Sequence, residues 1–259
     1  IMGKITMGLL TIYLSVYYLI KKELFNYSAL TIMAISLYII LMSGERVALF
    51  NFFIYLFIYF LLMSKNNLKK TLTLIISLTV FLFIFLSLKD NVRDRVIFTT
   101  LDHITSTNYL KNSIIPFTVY SDEHEALYNV AIENFKNNPF TGSGVGSFRD
   151  FCQNYSHIHK NHCATHPHNN LFEVLSENGI FAFLLLFYIF IFSIVYFIRS
   201  LYYFFKTNDY ISNIFISLGC SGFFFPYIPS FSFHSNNHFN VIIYFSFALF
   251  VYIKHKKKN

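Results

Sequence analysis

The sequence predicts an all-α, polytopic transmembrane protein with about seven spans and one long, partly helical loop. Three observations support this fold class. Hydrophobic residues make up 55% of the 259 positions, and they are collected in long runs. Charged residues make up only 13%, about half the share of a typical soluble domain. A soluble protein of this length would need more charge on its surface, so lipid is the expected solvent for much of it.

Seven apolar runs are the candidate membrane spans. They cover residues 5–20, 28–42, 47–63, 71–88, 171–198, 211–226 and 239–253. Several are shorter than the roughly 20 residues that cross a bilayer comfortably, so their boundaries are approximate. The chain then divides into transmembrane helices 1–4 within 1–88, a polar loop over 89–170, and transmembrane helices 5–7 within 171–259.

Clusters of lysine and arginine set the expected orientation. They follow the first, third, fifth and seventh spans: Lys21 and Lys22; Lys65, Lys69 and Lys70; Arg199 and Lys206; and Lys254, Lys256, Lys257 and Lys258. The positive-inside rule places these clusters in the cytoplasm and the polar loop outside. Much of the formal charge of +7 sits in these clusters. Basic and aromatic residues do not interleave on a soluble face, so nucleic acid is not an expected partner.

The first residue, Ile1, is not a normal start residue, and we expect a fragment that lacks an N-terminal part. The middle of the polar loop predicts an amphipathic helix over roughly 122–137. Its apolar stripe at helical spacing consists of Leu127, Val130, Ala131 and Phe135. A glycine-rich stretch over 141–146 follows. It lacks the Gly-Lys-Ser/Thr of a phosphate-binding loop, so a tight turn is the favoured interpretation.

The strongest polar cluster ends the loop, where Thr165-His166-Pro167-His168-Asn169-Asn170 precedes an apolar run. A histidine at a helix N-terminus feels the positive end of the helix dipole, which disfavours its charged form and suits a neutral base. The free N–H groups there can also hold phosphate oxygens. The alternative is a polar cap that only starts a helix. If that helix runs unbroken to Arg199, its first turns project above the membrane with His168 at the tip.

Neighbouring residues leave further alternatives open. A run of histidines suggests zinc, but its spacing is not a metal signature, so we predict no metal. The run consists of His157, His159, His162, His166 and His168. Glu173 and Glu177 share a helix face and either orient a catalytic side chain or form a solvated face. Cys152 and Cys163 form a disulfide in an oxidising compartment, or remain free thiols.

Arginines offer contacts for a diphosphate, because the guanidinium group is always charged and donates in a fork. Arg46 lies between two spans in Ser43-Gly44-Glu45-Arg46, and Arg93 and Arg95 open the polar loop. The alternative for Arg46 is a snorkelling side chain paired with Glu45.

Together these segments resemble the O-antigen ligase and O-antigen polymerase family. Ser43–Arg46 resembles its arginine motif, and 131–144 resembles its loop helix followed by an Asn-Pro-x-x-Gly-x-Gly turn. His166-Pro167-His168-Asn169, continuing through Leu175, Glu177 and Gly179, resembles its histidine motif. Phe148-Arg149 and Cys152, paired with Cys163-Ala164-Thr165-His166, resemble one bacterial branch. The motifs match in order and spacing over about 43–180.

The resemblance implies a metal-independent, cofactor-free glycosyltransferase of the bacterial inner membrane, with the loop in the periplasm. Its donor is a glycan on undecaprenyl diphosphate, and its acceptor is a glycan chain in a polymerase or lipid A–core in a ligase. The lipid bilayer and a chain-length regulator protein are further expected partners. We expect a polymerase, with a ligase as the alternative and a non-catalytic exporter or flippase as the second alternative.

The resemblance also implies roles for individual residues. His168 matches the histidine that activates the acceptor hydroxyl, and Arg46 matches the arginine that holds the donor diphosphate. His166, Asn169 and Glu177 are the accompanying candidates for substrate binding. The family's second loop arginine, near the start of the amphipathic helix, is absent, because His124 stands in that region. Candidates for its phosphate contact are Arg95, Arg149 and His124.

Overall fold

A computed structural model describes residues 2–21, 27–65, 67–99, 101, 122–155, 163–224, 230, 232–234 and 237–256. Within these ranges the chain is helical and contains no strand, which confirms the all-α class. The helices are α1 (Met2–Lys21), α2 (Tyr27–Ser43), α3 (Arg46–Ser64), α4 (Leu68–Leu88), α5 (Asp90–Arg93), a π-helical turn (Asp94–Phe98), α6 (Asp122–Asn137), α7 (Ser147–Asn154), α8 (Asn170–Thr207), α9 (Ile211–Phe223) and α10 (Asn237–Lys256).

Among the described helices, four are long and apolar enough to cross a membrane: α1, α3, α4 and α8. Three shorter apolar helices accompany them: α2, α9 and the segment Val241–Phe250 of α10. Each apolar run of the sequence therefore contains a helix. The number of helices that cross the bilayer, expected to be seven, stays a prediction.

The chain forms two compact units. The first comprises Ile1–Asp102, Arg199–Ile216 and Ala248–Asn259, and the second comprises His103–Ile198 and Ser217–Phe247. Stacked aromatic rings lie among the buried aliphatic side chains of the first unit. Tyr18 and Tyr55 stack on Phe215 at centroid distances of 5.6 and 6.0 Å, and the Tyr55 hydroxyl hydrogen-bonds to Thr11. This unit contains Arg46 and Arg95.

The second unit holds the polar loop from residue 103 onward. The predicted amphipathic helix is confirmed as α6, and its apolar stripe packs against α7. The shared core consists of Leu127, Val130, Ala131, Phe148 and Cys152, all buried. Phe135, the last residue of the expected stripe, is half-buried. Helices α6 and α7 share this core, and Phe172, near the start of α8, packs against it.

The expected unbroken helix after His168 is wrong, because α8 breaks at Gly179, which has φ 80° and ψ −174°. Main-chain hydrogen bonds join both sides of the break to residues 138–146, which we call the glycine turn. Ile180 N donates to Pro139 O at 2.9 Å, and Gly144 N donates to Glu177 O at 2.9 Å. The first turns of α8 are therefore packed against α6 and the glycine turn, and their projection above the membrane stays a prediction.

Replacing Gly179 with alanine should destabilise the second unit strongly. A Cβ there would lie 2.3 Å from the backbone oxygen of Phe140, and the backbone conformation alone costs about 1–3 kcal/mol for a residue other than glycine. The measurement is thermal denaturation in detergent. Gly222→Ala is the matched control, since nothing lies within 4 Å of its added Cβ. Equal melting temperatures for the two variants would contradict the packing at the break.

Candidate functional site

Three histidine rings of the second unit lie together. His168 is 4.3 Å from His166 and 5.5 Å from His124, measured between ring centroids. Helix α6 supplies His124, whose ring stacks on Tyr128, and Tyr128 stacks on Phe172 of α8 at 4.7 Å. In the sequence, His124 was a candidate only because it lies where the family has its second loop arginine. The fold brings it to the predicted base, and we call these three residues the histidine cluster.

The backbone of His168 is held in an unusual conformation. Its φ is +55°, in the left-handed region, which costs roughly 1–2 kcal/mol for most residues other than glycine. Ser230 N donates to His168 O at 2.6 Å, which supports this conformation. The His168 side chain is half-buried, and the preceding Pro167 is buried. The ring direction is thus set by the backbone as well as by neighbouring rings.

Asn169 is the N-cap of α8. Its Oδ1 accepts from Leu171 N at 3.0 Å and from Phe172 N at 3.3 Å, and the residue is 1% exposed. Such a cap satisfies donors at the helix start. Since the amide oxygen is used inside the protein, this geometry favours a positioning role over the expected substrate contact.

The segment between α9 and α10 contributes residues that sequence reasoning missed. Ser230 Oγ accepts from Asn170 N at 2.8 Å and donates to Asn170 Oδ1 at 2.9 Å. Phe233 N donates to Glu173 Oε2 at 2.6 Å, and Ser232 Oγ donates to Glu173 Oε1. The available signal was the alternation of Ser230, Ser232 and His234 with phenylalanine, which interrupts an otherwise apolar region.

Glu177 connects the glycine turn to α8. Its Oε2 accepts from Gly146 N at 2.9 Å, and its Oε1 accepts from Phe148 N at 3.2 Å. Glu173 and Glu177 are both 2% exposed, so the alternative of a solvated face is wrong. Buried carboxylates need hydrogen-bond donors, and the backbone supplies them here. Both side chains accept hydrogen bonds inside the second unit rather than meeting solvent, and an orienting role toward a catalytic side chain stays a prediction.

His234 lies beside this carboxylate. Its Nε2 is 2.8 Å from Asn178 Oδ1 and 3.7 Å from Glu177 Oε2. Burial lowers the pKa of His234, and the charge of Glu177 opposes that change. The folded protein therefore binds fewer protons at this site than the unfolded chain as the pH falls.

The lowered pKa of His234 predicts that its contribution to stability is present above the unfolded pKa of about 6.5 and is lost as the pH falls toward the lower folded pKa. His234→Gln keeps an N–H donor for Asn178 and does not titrate. The wild-type melting temperature should thus fall more than that of the variant between about pH 7.5 and about pH 5.5. Parallel pH profiles of the two proteins would contradict this assignment.

The arginine motif lies in the first unit. Arg46 is the first residue of α3, and its Nη1 donates to Thr99 O at 3.5 Å. Gly44, at φ +63°, is in contact with Arg95, because a Cβ there would lie 2.7 Å from Arg95 Cδ. The fold therefore brings Arg95 to the turn that precedes Arg46. Arg93 instead pairs with Asp90 at 2.8 Å.

The remaining candidates lie around α7. Arg149 is exposed on this helix. Cys152 is joined to Cys163 in a disulfide, which ties α7 to the residues just before His166. His157, His159 and His162 of the histidine run lie outside the described residues.

The fold and the site define a class of protein: a helical membrane protein with a histidine cluster at the start of a broken apolar helix. The chain belongs to the O-antigen ligase family, whose match covers residues 31–187 and thus more than half of the chain. The match includes Arg46, Arg95 and the histidine cluster. The family implies a glycosyltransferase-type reaction on a lipid-linked glycan, in the bacterial inner membrane. No curated protein matches the chain.

Proposed function

We propose that this protein transfers a glycan from undecaprenyl diphosphate to an acceptor glycan as a surface-polysaccharide polymerase, with the 89–170 segment in the periplasm. The observation that carries the proposal is the placement of His168 beside His166 and His124, with its backbone bonded to Ser230. A ring oriented from several sides suits a base that must meet one hydroxyl group.

In the proposed reaction, His168 accepts the proton of the acceptor hydroxyl as the oxygen attacks the anomeric carbon. The bond between that carbon and the diphosphate oxygen breaks, and undecaprenyl diphosphate leaves with its negative charge. His166 and His124 contact the substrates beside the base. Asn169 and Glu177 act by positioning, since their oxygens accept from backbone N–H groups.

Arg46 is the proposed contact for the donor diphosphate. Arg95 is the proposed substitute for the family's second arginine, because its side chain lies against the arginine motif at Gly44. A forked guanidinium suits phosphate oxygens geometrically, whereas an ammonium offers a point charge. No cofactor or metal enters this proposal.

Arg46→Lys should lower activity at limiting donor by roughly tenfold, because the charge remains and the forked donor is lost. Saturating donor should restore part of the rate, since the loss is mainly in binding. The assay is product formation against donor concentration in vesicles. Arg199→Lys, an exposed position at the end of α8, is the control. A change in maximal rate alone would contradict the assignment to donor binding.

The experiment that tests the function supplies purified protein in vesicles with undecaprenyl-diphosphate-linked repeat units, with and without lipid A–core. A ladder that grows on the lipid carrier without lipid A–core supports the polymerase. The family description, O-antigen ligase, favours transfer to lipid A–core as the alternative, and product formed only with that acceptor supports it. Unchanged donor in both reactions would contradict both. If the protein is a polymerase, adding a chain-length regulator protein should narrow the range of polymer lengths in the ladder.

A further inference from the structure

The glycine turn carries an apolar surface that the histidine cluster does not use. Phe140 is 68% exposed and Val145 is 64% exposed, and both belong to this turn. No charged residue occurs from 137 to 148. Large exposed apolar side chains grouped in this way indicate a surface that meets lipid or another molecule.

This surface continues into the apolar face of α8. The Phe140 ring lies 6.3 Å from the ring of Phe181, which is itself 68% exposed. Beyond Phe181, α8 presents a series of exposed apolar side chains: Leu184, Leu185, Tyr188, Ile191, Val195 and Ile198. Helix α8 is apolar enough to cross a membrane, so its exposed face is a lipid-facing surface.

The backbone at Phe140 is tied to the start of this lipid-facing surface. The bond from Ile180 N to Pro139 O ties the residues before Phe140 and Phe181 together. A Cβ added at Gly179 would collide with the Phe140 carbonyl, so the two backbones approach closely there. The backbone that carries Phe140 is therefore held beside the residues where the apolar face of α8 begins.

We infer that the glycine turn is a membrane-interface anchor, with Phe140 and Val145 inserted among bilayer lipids next to Phe181. Aromatic rings are favoured at the membrane–water interface. Lys136 and Arg149, which flank the uncharged stretch, suit the headgroup side of that boundary. Through Glu177, the anchor sets the depth of the helix start that bears His168. This inference stands independently of the proposed glycosyl transfer.

The chain contains no tryptophan, so each tryptophan introduced is a single fluorescent probe. Phe140→Trp and Val145→Trp each probe the anchor, and Phe181→Trp is the reference within lipid. Tyr155→Trp is the control, at the residue that caps the C-terminus of α7. Its ring stacks on Phe151 at 5.7 Å, and it interacts electrostatically with Glu133 and Lys136. The proteins are placed in phosphatidylcholine vesicles with plain or brominated acyl chains.

Brominated lipid should quench the probe at 140 nearly as strongly as the probe at 181 and several-fold more than the probe at 155. Aqueous iodide should show the reverse order. The probe at 145 should follow the probe at 140, which keeps the test informative if one variant folds poorly. Strong iodide quenching at 140 and 145 would overturn the inference in favour of a water-facing turn. Protection from both quenchers would overturn it in favour of a protein partner or a second copy.

Discussion

Replacing His168 with asparagine is expected to lower the rate of polymer formation about a hundredfold or more, because the substitution removes the proposed general base. Asparagine tolerates the left-handed backbone better than most residues, so this variant keeps the φ of +55° while removing the imidazole. The measurement is surface polysaccharide on a gel from a strain that lacks the native gene.

The gel also separates the two glycosyl-transfer functions. Loss of a polymerase leaves single-repeat material on lipid A–core, whereas loss of a ligase leaves polymer on the lipid carrier. His168→Ala, which removes the ring and leaves the backbone strain, should be no more active than the asparagine variant. A normal ladder from a strain that expresses the asparagine variant at wild-type level would contradict the role of His168 as base.

Replacing Glu177 with alanine is expected to give the largest loss of stability among the single substitutions at the site. The change removes the acceptor for Gly146 N and Phe148 N. Phe148 N is buried and Gly146 N is partly buried. A buried donor left without a partner costs about 1–3 kcal/mol, so the sum is on the order of 3 kcal/mol. We expect a sharply lower melting temperature in detergent and faster proteolysis near the glycine turn.

Glu133→Ala is the matched control for this substitution. Glu133 pairs with Lys136 on a more exposed part of α6, and such pairs contribute about 0–1 kcal/mol. The melting temperature of Glu177→Gln should lie between those of Glu133→Ala and Glu177→Ala. An amide keeps one acceptor oxygen but turns a donor toward the second N–H. Equal melting temperatures for Glu133→Ala and Glu177→Ala would show that the buried carboxylate does not hold the turn.

The helices of this protein could be predicted because hydrophobic runs and helical spacing are local properties. The stripe of Leu127, Val130 and Ala131 predicted α6 at its observed position. The break at Gly179 could not be predicted in this way. An isolated glycine is tolerated within a helix, and the cause of the break is a contact with a turn near residue 140. Non-local contacts of this kind leave little trace in periodicity.

The same distinction applies to the site. His166 and His168 are neighbours in sequence, so their proximity was expected, whereas the contact of His124 with His168 depends on how α6 packs. Ser230 was overlooked because its contribution to His168 is a backbone N–H, which every residue except proline possesses. Composition and residue type carry no information about such a bond.

The hydrogen bonds between the glycine turn and α8 have a consequence for the comparison of related sequences. Apart from the bond from Gly146 N to the Glu177 carboxylate, these hydrogen bonds, including Ser143 N to Ser176 O and Gly144 N to Glu177 O, join main-chain atoms. Side chains at these positions other than Glu177 can therefore diverge among relatives without compensating changes across the contact. Covariation between 138–146 and 176–180 should consequently be weak. The main evolutionary record of this contact should be the persistence of Glu177 and of glycine at 142 and 179, where a Cβ would collide with the opposite backbone.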